Sequence, residues 1–410
     1  MHTRLTRRLG VVSMLTLAVA ACGSASSTGP KVGPVNLGEL DPLSGMFAGV
    51  GHLFITGSEL GVADINAHGG VLGQQVKQFS ADDAGDAVDA VPAMRQLLTD
   101  NLTYMSGIIS QEFGAIQPLV DSAKIVAFAN IPSPQYDSLT DKYIFREIAS
   151  DSLQGAAMAY YALQKGWTQC SVLFANDQAS QGLVAPLVTA YTKHGGQIQD
   201  NEQIVPDASS YRTEIEKAFA KNPQCVFAQT DPTTTGTLFA NLKELGHLNI
   251  PIIGSNEYEN IDVAKAAGLP DFSQWATATV NASPGGQASD YFDSAYKTKF
   301  GAAATGASAF TYDGVIIGAL AMNIAKTTDP TIWANSVLSV SDPAGNQCYN
   351  YSGCVSLVKK GDRINYQGAS GPMEFNSHHS VSSGFNIVKF DTSGNEQTVF
   401  TIASSALLNY

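Results

Sequence analysis
The chain alternates strand-like apolar runs with helix-period segments, and this predicts an α/β fold of two doubly wound parallel-sheet lobes. Three observations carry the prediction. The alternation occurs twice, once before Arg146 and once after it. The 410 residues leave room for two domains of about 100–200 residues each. The 38 glycines suit many tight strand-to-helix turns. With 44% hydrophobic and 14% charged residues, disorder is excluded as the main state. Lys and Arg number 23 against 36 Asp and Glu, a net charge of −13, so nucleic acid is excluded as a partner.

The elements follow in order. Residues 35–40 read as a strand. The helix after it, 48–67, carries Phe54, Gly57, Gly61 and Ile65 at helical spacing, with glycines expected to admit close approach to a sheet. Strand 76–79, helix 88–98 and strands 105–109 and 125–129 come next. After Arg146 the series restarts with helix 153–164, strand 170–175, helix 183–194 and strand 197–205. Helix 211–221, strand 225–230, helix 238–245 and strand 250–254 complete it. Residues 291–325 are helical in pattern. The tail returns to strands at 373–375, 385–390 and 399–402.

The first residues are predicted to stand outside this fold. Arg4, Arg7 and Arg8 precede an apolar run over 9–18, too short to span a bilayer, so residues 1–21 read as a signal peptide. Val19-Ala20-Ala21-Cys22 resembles a bacterial lipobox, in which Cys22 receives the lipid. Cleavage there removes three arginines and makes the chain still more acidic. Residues 22–31, in a stretch rich in Ser, Gly and Pro, read as a lipid-anchored tether. The protein is therefore expected to be exported and anchored to the outer face of the cytoplasmic membrane. The membrane is met only through the lipid, because no later run reaches 18 unbroken apolar residues.

Cys170, Cys225, Cys348 and Cys354 remain, an even set that predicts two disulfides outside the cytoplasm. Cys348 and Cys354 bracket a short loop. Cys170 and Cys225 each open an apolar run, and their thiols meet if those runs are neighbouring parallel strands in register.

Two lobes leave a cleft, and ligands of doubly wound sheets bind beyond the carboxyl ends of the strands. The segments there are 41–47, 110–113, 129–133, 176–181, 230–234 and 255–258, mixing Ser, Thr, Asn, Asp and Glu with Phe and Tyr. That mixture suits a small polar ligand with an apolar part. The chain holds no phosphate loop, no Gly-x-Gly-x-x-Gly, no nucleophile elbow and no His-Glu-x-x-His. His378-His379 is a poor metal pair, since neighbours on a strand point apart. Asp82-Asp83 reads as turn chemistry. No cofactor, no metal and no catalytic group are predicted, and the chain is read as a non-enzyme.

Several motifs then carry a resemblance. Pro42-Leu43-Ser44-Gly45, Ala63-Asp64-Ile65-Asn66-Ala67, Gly69-Gly70-Val71-Leu72-Gly73 and Asp82-Asp83-Ala84-Gly85-Asp86 stand in the first half. Leu139-Thr140-Asp141, Phe145-Arg146, Ser150-Asp151-Ser152-Leu153-Gln154-Gly155 and Gln181-Gly182 follow, then Tyr312-Asp313 and Gly368-Ala369-Ser370-Gly371-Pro372. Together they resemble the type I periplasmic binding proteins, in the leucine/isoleucine/valine-binding branch that serves ABC importers. The likeness runs from about Val32 to the last strands.

The resemblance implies two lobes joined by a three-crossover hinge, with 32–149 and 277–367 as lobe I and 150–276 and 368–410 as lobe II. It implies capture of a small amino acid, amide or amine-like solute by hinge closure and delivery to an ABC permease. An extracellular sensor built on the same clamp is the alternative, and an α/β hydrolase a third reading that lacks its motifs. In the amino-acid binders, lobe I hydroxyls and backbone N–H groups hold the α-carboxylate. The matching loops here contain Ser110, Gln111, Asn130 and Ser133. An acidic residue of lobe II holds the α-ammonium, a place matched by Glu257, with Asp231 at the end of the neighbouring strand. Phe47, Tyr258 and Phe310 are candidates to pack the apolar part, with plain lobe packing as the competing role. Two positions depart from the pattern. Ser180 stands where relatives carry an aromatic, and Asp231-Pro232 follows a strand that relatives continue with Gly or Tyr. Asp231 favours a cationic or amide-bearing solute, or caps the next helix at Thr233.

Overall fold
The computed structural model describes residues 31–410 except 46, 260, 270, 271, 283, 284, 408 and 409. The predicted signal peptide, Cys22 and the tether as far as residue 30 lie outside the described residues. Lys31 is already tied to the fold: its carbonyl accepts from Thr327 Oγ1 at 2.7 Å and from Thr328 N at 3.1 Å.

The first sheet comprises β1 (Val35–Asp41), β2 (Val76–Asp82), β3 (Tyr104–Ser106), β4 (Val126–Ala129) and β5 (Ile144–Arg146). Its order is β2-β1-β3-β4-β5, all parallel. The second comprises β6 (Gln169–Ala175), β7 (Gln197–Ile204), β8 (Cys225–Gln229), β9 (Ile252–Gly254) and β10 (Ala276–Asn281). A small parallel pair, β11 (Asn346–Cys348) and β12 (Ile364–Tyr366), stands apart. Strands β13 (Phe385–Phe390) and β14 (Glu396–Ile402) return to the second sheet as an antiparallel hairpin beside β10. Its order is β14-β13-β10-β9-β8-β6-β7.

Crossover helices explain why the first sheet and strands β6–β10 of the second are parallel. They are α1 (Ala48–Ala67), α2 (Ala87–Leu97), α3 (Ser110–Ala123), α4 (Asp151–Gln164), α5 (Gln178–Lys193), α6 (Arg212–Phe219) and α7 (Pro232–Glu244), followed by the short α8 (Ile261–Ala266) and α9 (Phe272–Trp275). Then α10 (Gln287–Phe300) and α11 (Gly306–Ala325) pack back on the first sheet. Alternate strand residues feed opposite cores. Leu37, Tyr104 and Phe128 join one cluster under the first sheet, while Leu40, Met105 and Ala127 join the other. Val172 and Phe227 do the same against Leu173 and Val226 in the second. Each sheet is thus covered on both faces, which is the predicted doubly wound α/β architecture.

Three sequence readings change here. Gly57 and Gly61 admit a helix rather than a sheet. A Cβ at Gly57 would lie 2.1 Å from the Ser308 carbonyl oxygen, and one at Gly61 would lie 2.9 Å from Val315. The Thr311 hydroxyl donates to the Phe54 carbonyl at 2.8 Å across the same seam. Residues 373–375 do not form a strand; only Phe375 makes an isolated bridge, to Val381. The lobe boundaries also move. Residue 277 falls inside β10, which pairs with β9 of the second sheet. Residues 376–381 stay with the first sheet, because Arg146 N donates to His379 O at 2.8 Å and Val381 N to Arg146 O at 3.2 Å. The chain therefore passes between sheets near 147–150, 281–286 and 381–385. The last two passages lie side by side, with Ala282 N bonded to Gly384 O at 2.9 Å.

Helix α11 is long and apolar enough to cross a membrane, yet 83% of that window is buried in the first lobe's core. Both predicted disulfides are present, Cys170–Cys225 and Cys348–Cys354. Cys170 and Cys225 are direct partners in the β6–β8 register. Their bridge spans 55 residues of chain against 6 for the other. Chain-entropy reasoning then assigns about 4 kcal/mol to the first and about 2 kcal/mol to the second. A Cys170→Ser/Cys225→Ser protein is expected to unfold at markedly lower urea than Cys348→Ser/Cys354→Ser. Equal midpoints would refute the ranking.

Candidate ligand-binding site
In each sheet the first strand has its crossovers running to opposite sides, at β1/β3 and at β6/β8, which opens a crevice at the carboxyl ends. The two crevices differ in chemistry.

In the first lobe, Ser110 opens α3 after β3, and Asn130 and Ser133 follow β4. Ile109 and Asn130 form a bridge that brings these loops together. Ser110 Oγ accepts from Ser133 N at 3.3 Å, so two groups predicted for one carboxylate are bonded to each other. Gln111 is half-buried beside them. Asn130 is buried; its Nδ2 donates to Glu147 Oε1 at 2.9 Å, and its Oδ1 has no partner among the described residues. Phe47 is half-buried and packs on Gly85, where a Cβ would lie 2.7 Å from its ring.

In the second lobe, Asp177 and Asp231 are helix caps. Asp177 accepts from Ser180 N at 2.8 Å and Ser180 Oγ at 2.7 Å. Ser180, in place of an aromatic, therefore completes the N-terminus of α5 rather than walling a ligand. Asp231 accepts from Thr234 N at 3.0 Å and Thr234 Oγ1 at 2.5 Å, with Pro232 at the first helical position. The partner is Thr234, not Thr233. Tyr258 packs in the core rather than against a ligand: it is 1% exposed, its hydroxyl meets Thr230 Oγ1 at 3.0 Å, and its ring packs near Phe239 and Phe272. It offers no face to the cleft.

Glu257 behaves differently. It follows β9 at the carboxyl end and is reached by solvent. Its backbone N–H bonds Ser255 Oγ at 3.3 Å, while no described group donates to its carboxylate. Its carboxyl sits above the usual range, first because surrounding protein desolvates it, then because Asp177 and Asp231 repel its charge. Asp151, at the start of α4, is pushed up to about 7 by burial, which outweighs the opposing pull of Arg146; Asp137 and Glu257 add to it.

A recess of about 800 Å³ lies between the lobes. Val50, Leu53 and Phe54 of α1 and Ala309 and Phe310 of α11 form an apolar wall on the first lobe. Asn256, Glu257, Glu259, Asn281 and Glu396 face it from the second. Of the predicted residues, Glu257 and Phe310 line this recess, whereas Ser110, Gln111, Asn130, Ser133, Phe47 and Asp231 do not. The lobes also approach where Pro134 meets Gly182, with a Cβ there 3.8 Å from Pro134 Cδ. Glu259, Asp293 and Glu396 escaped the sequence reading. Hairpin β13–β14 and helix α10 bring the last two in from far along the chain, and no local pattern marks them. Among the described residues, no group of three or more His, Cys, Asp or Glu is placed to hold a metal.

A two-sheet body with three passages and a recess between its halves defines a clamp-type binding protein. Residues 34–395 match the periplasmic binding protein family model, and the chain belongs to that family. The Leu/Ile/Val/Thr-binding protein of Salmonella typhimurium is 24% identical over 229 residues, covering 55% of this chain and 62% of that one. The match thus spans less than two thirds of that relative. The leucine binding protein LivK of Thermotoga maritima shares the fold at TM-score 0.74 and 17% identity, covering 90% of this chain and 99% of its own. A solute binding protein of R. palustris in complex with benzoate does so at 0.70 and 14%, covering 90% and 97%.

Proposed function
We propose that the chain is the extracytoplasmic solute-binding component of an ABC importer. It captures a small amino acid, amide or amine-like solute between its lobes and releases it chemically unaltered to a permease. One observation carries this reading: a recess between two doubly wound lobes in which Glu257, free of any described donor, faces an apolar wall. The three passages near 147–150, 281–286 and 381–385 serve as the hinge. They divide the body into lobe I, up to about 149 and from about 285 to 381, and lobe II, the remainder. A solute touching both lobes binds the closed form better and shifts the equilibrium toward it. The family membership and the binding proteins among its relatives support the role. The names of those relatives record leucine, isoleucine, valine, threonine and benzoate, so the fold does not dictate one ligand.

Glu257 is assigned to the ligand's ammonium. Ser110, Gln111, Asn130 and Ser133 are assigned to the opposite, carboxylate-bearing end, and there closure would have to exchange the Ser110–Ser133 bond for one to the ligand. Phe310 packs the apolar part. Calorimetry on Glu257→Gln is expected to show affinity for an ammonium-bearing ligand reduced more than tenfold, about 1.4 kcal/mol. Unchanged affinity would remove Glu257 from the site. Cys22 is assigned as the lipid anchor on the outer face of the cytoplasmic membrane. Cys22→Ser is expected to move the protein from the membrane fraction to the soluble one, and continued membrane association would refute the anchor.

A further inference from the structure
The recess is lopsided in charge. Four carboxylates line it, those of Glu257, Glu259, Asp293 and Glu396, and among its described lining residues there is no Lys, Arg or His. Arg146, buried among the described residues, is 1% exposed and fully engaged, with Asp137 at 2.8 Å, the Ile131 carbonyl at 2.9 Å and Ser380 Oγ at 3.2 Å among its partners. It has nothing left for a ligand anion. Asn281 also lines the recess; its Oδ1 has no donor among the described residues but is closed to solvent, so a solute reaches it only if closure of the lobes uncovers it. The opposite wall, Leu53, Phe54 and Phe310, asks for an apolar body, and an aromatic face there also favours a cation. Burial first, then the facing Glu396 carboxylate, push Glu259 up to about 8, so this pair holds one proton near neutral pH, and an ammonium beside it would draw that proton off.

Resting on the clamp reading above, we propose that the interlobe recess selects an organic cation: an amine with an aliphatic or aromatic body and net positive charge. Such a ligand answers both features of the recess: its ammonium pairs with the carboxylates and its body lies on the apolar wall. A zwitterionic branched-chain amino acid brings no net positive charge to this acidic lining, and an anionic solute would be repelled by it.

Calorimetry and thermal shift on the purified protein would use 1,5-diaminopentane, phenethylamine, L-arginine, L-leucine, L-isoleucine, benzoate and L-glutamate. At least one of the three cations is expected to bind tenfold or more tighter than any of the other four, and to bind more weakly in 0.5 M NaCl. Glu257→Gln is expected to weaken that cation more than tenfold and Glu259→Gln about fivefold; the two variants guard against one failing to fold. Tighter binding of leucine, isoleucine, benzoate or glutamate would overturn the charge assignment and leave the clamp intact. Cation binding untouched by both variants would place it outside the recess and likewise overturn the proposal. Absence of binding by all seven, with X-ray scattering unchanged on their addition, would overturn the proposal and the clamp together.

Discussion

Arg146→Met is expected to destabilise the protein by about 3–5 kcal/mol, because it breaks the ion pair with Asp137 and leaves the buried Ile131 carbonyl without its donor. The side chain is buried at the end of β5. Nε donates to the Ile131 carbonyl at 2.9 Å and Nη2 to the Pro132 carbonyl at 3.1 Å. Nη1 reaches Asp137 at 2.8 Å and Ser380 Oγ at 3.2 Å. It thereby joins the loop after β4 to residues 376–381, the segment about to pass into the second lobe. Asp137 in turn accepts from Ser152 Oγ at 2.6 Å, at the start of α4 and just past the first passage. One cation thus braces two of the three passages. Lysine does not rescue it, since a point charge lacks the planar fork that serves these directions at once. Chemical denaturation should show a large fall in midpoint for Met and a similar one for Lys, with Ser380→Ala costing about 1 kcal/mol. A Met variant within 1 kcal/mol of the parent would remove Arg146 from this role.

The fold was legible where residue pattern and burial agree. Helix 48–67 and strand 385–390 lie at their predicted bounds, and the Cys170–Cys225 pairing follows once β6 and β8 are neighbours. Elements were missed where the pattern is weak. Strand β10 reads ATATVN, alanines and threonines without a clear period, yet the sheet edge formed by β9 recruits it. Helices α5 and α7 start several residues before their predicted bounds because Asp177 and Asp231, read as binding residues or left open, cap them. The site was legible only in part for a related reason. Glu257 stands beside a strand end, and its neighbourhood in sequence announces it. Tyr258, one residue on, turns into the core, and sequence adjacency cannot distinguish the two. Glu396 and Asp293 reach the recess through long-range packing, and a single chain read in order has no signal for that.

Stability is expected to fall as pH rises from about 5 to about 9, and Glu112→Gln is expected to remove part of that fall. Under the first lobe's crevice lie Glu39, Asp41, Glu112 and Glu147, each fully buried. Both carboxyl oxygens of Glu39 and Asp41, and one each of Glu112 and Glu147, have no partner among the described residues. Burial is the first cause raising each of them, and neighbouring carboxylates add to it. Glu112 reaches about 9. The sign follows from linkage. Below about 4.5 the carboxyl is protonated in folded and unfolded chains alike, so its neutral form costs nothing extra. Above that the unfolded chain ionises while the folded one holds its proton, and stability is lost at about 1.4 kcal/mol per pH unit until the folded group ionises near 9. Glutamine keeps the oxygen that accepts from Ile109 N at 2.5 Å and cannot ionise. Glu112→Gln should match the parent near pH 5 and exceed it by several kcal/mol at pH 8, in urea titrations at both pH values. A parent with flat stability from pH 5 to 8.5, or a variant with the parent's slope, would show that these carboxyls are ionised in the folded protein. The same acids underlie the loops that carry Ser110 and Asn130. Holding them neutral spares the floor of that crevice four fixed charges, while Glu257, Glu259 and Glu396 line the recess from the opposite lobe and Asp293 lines it from this one.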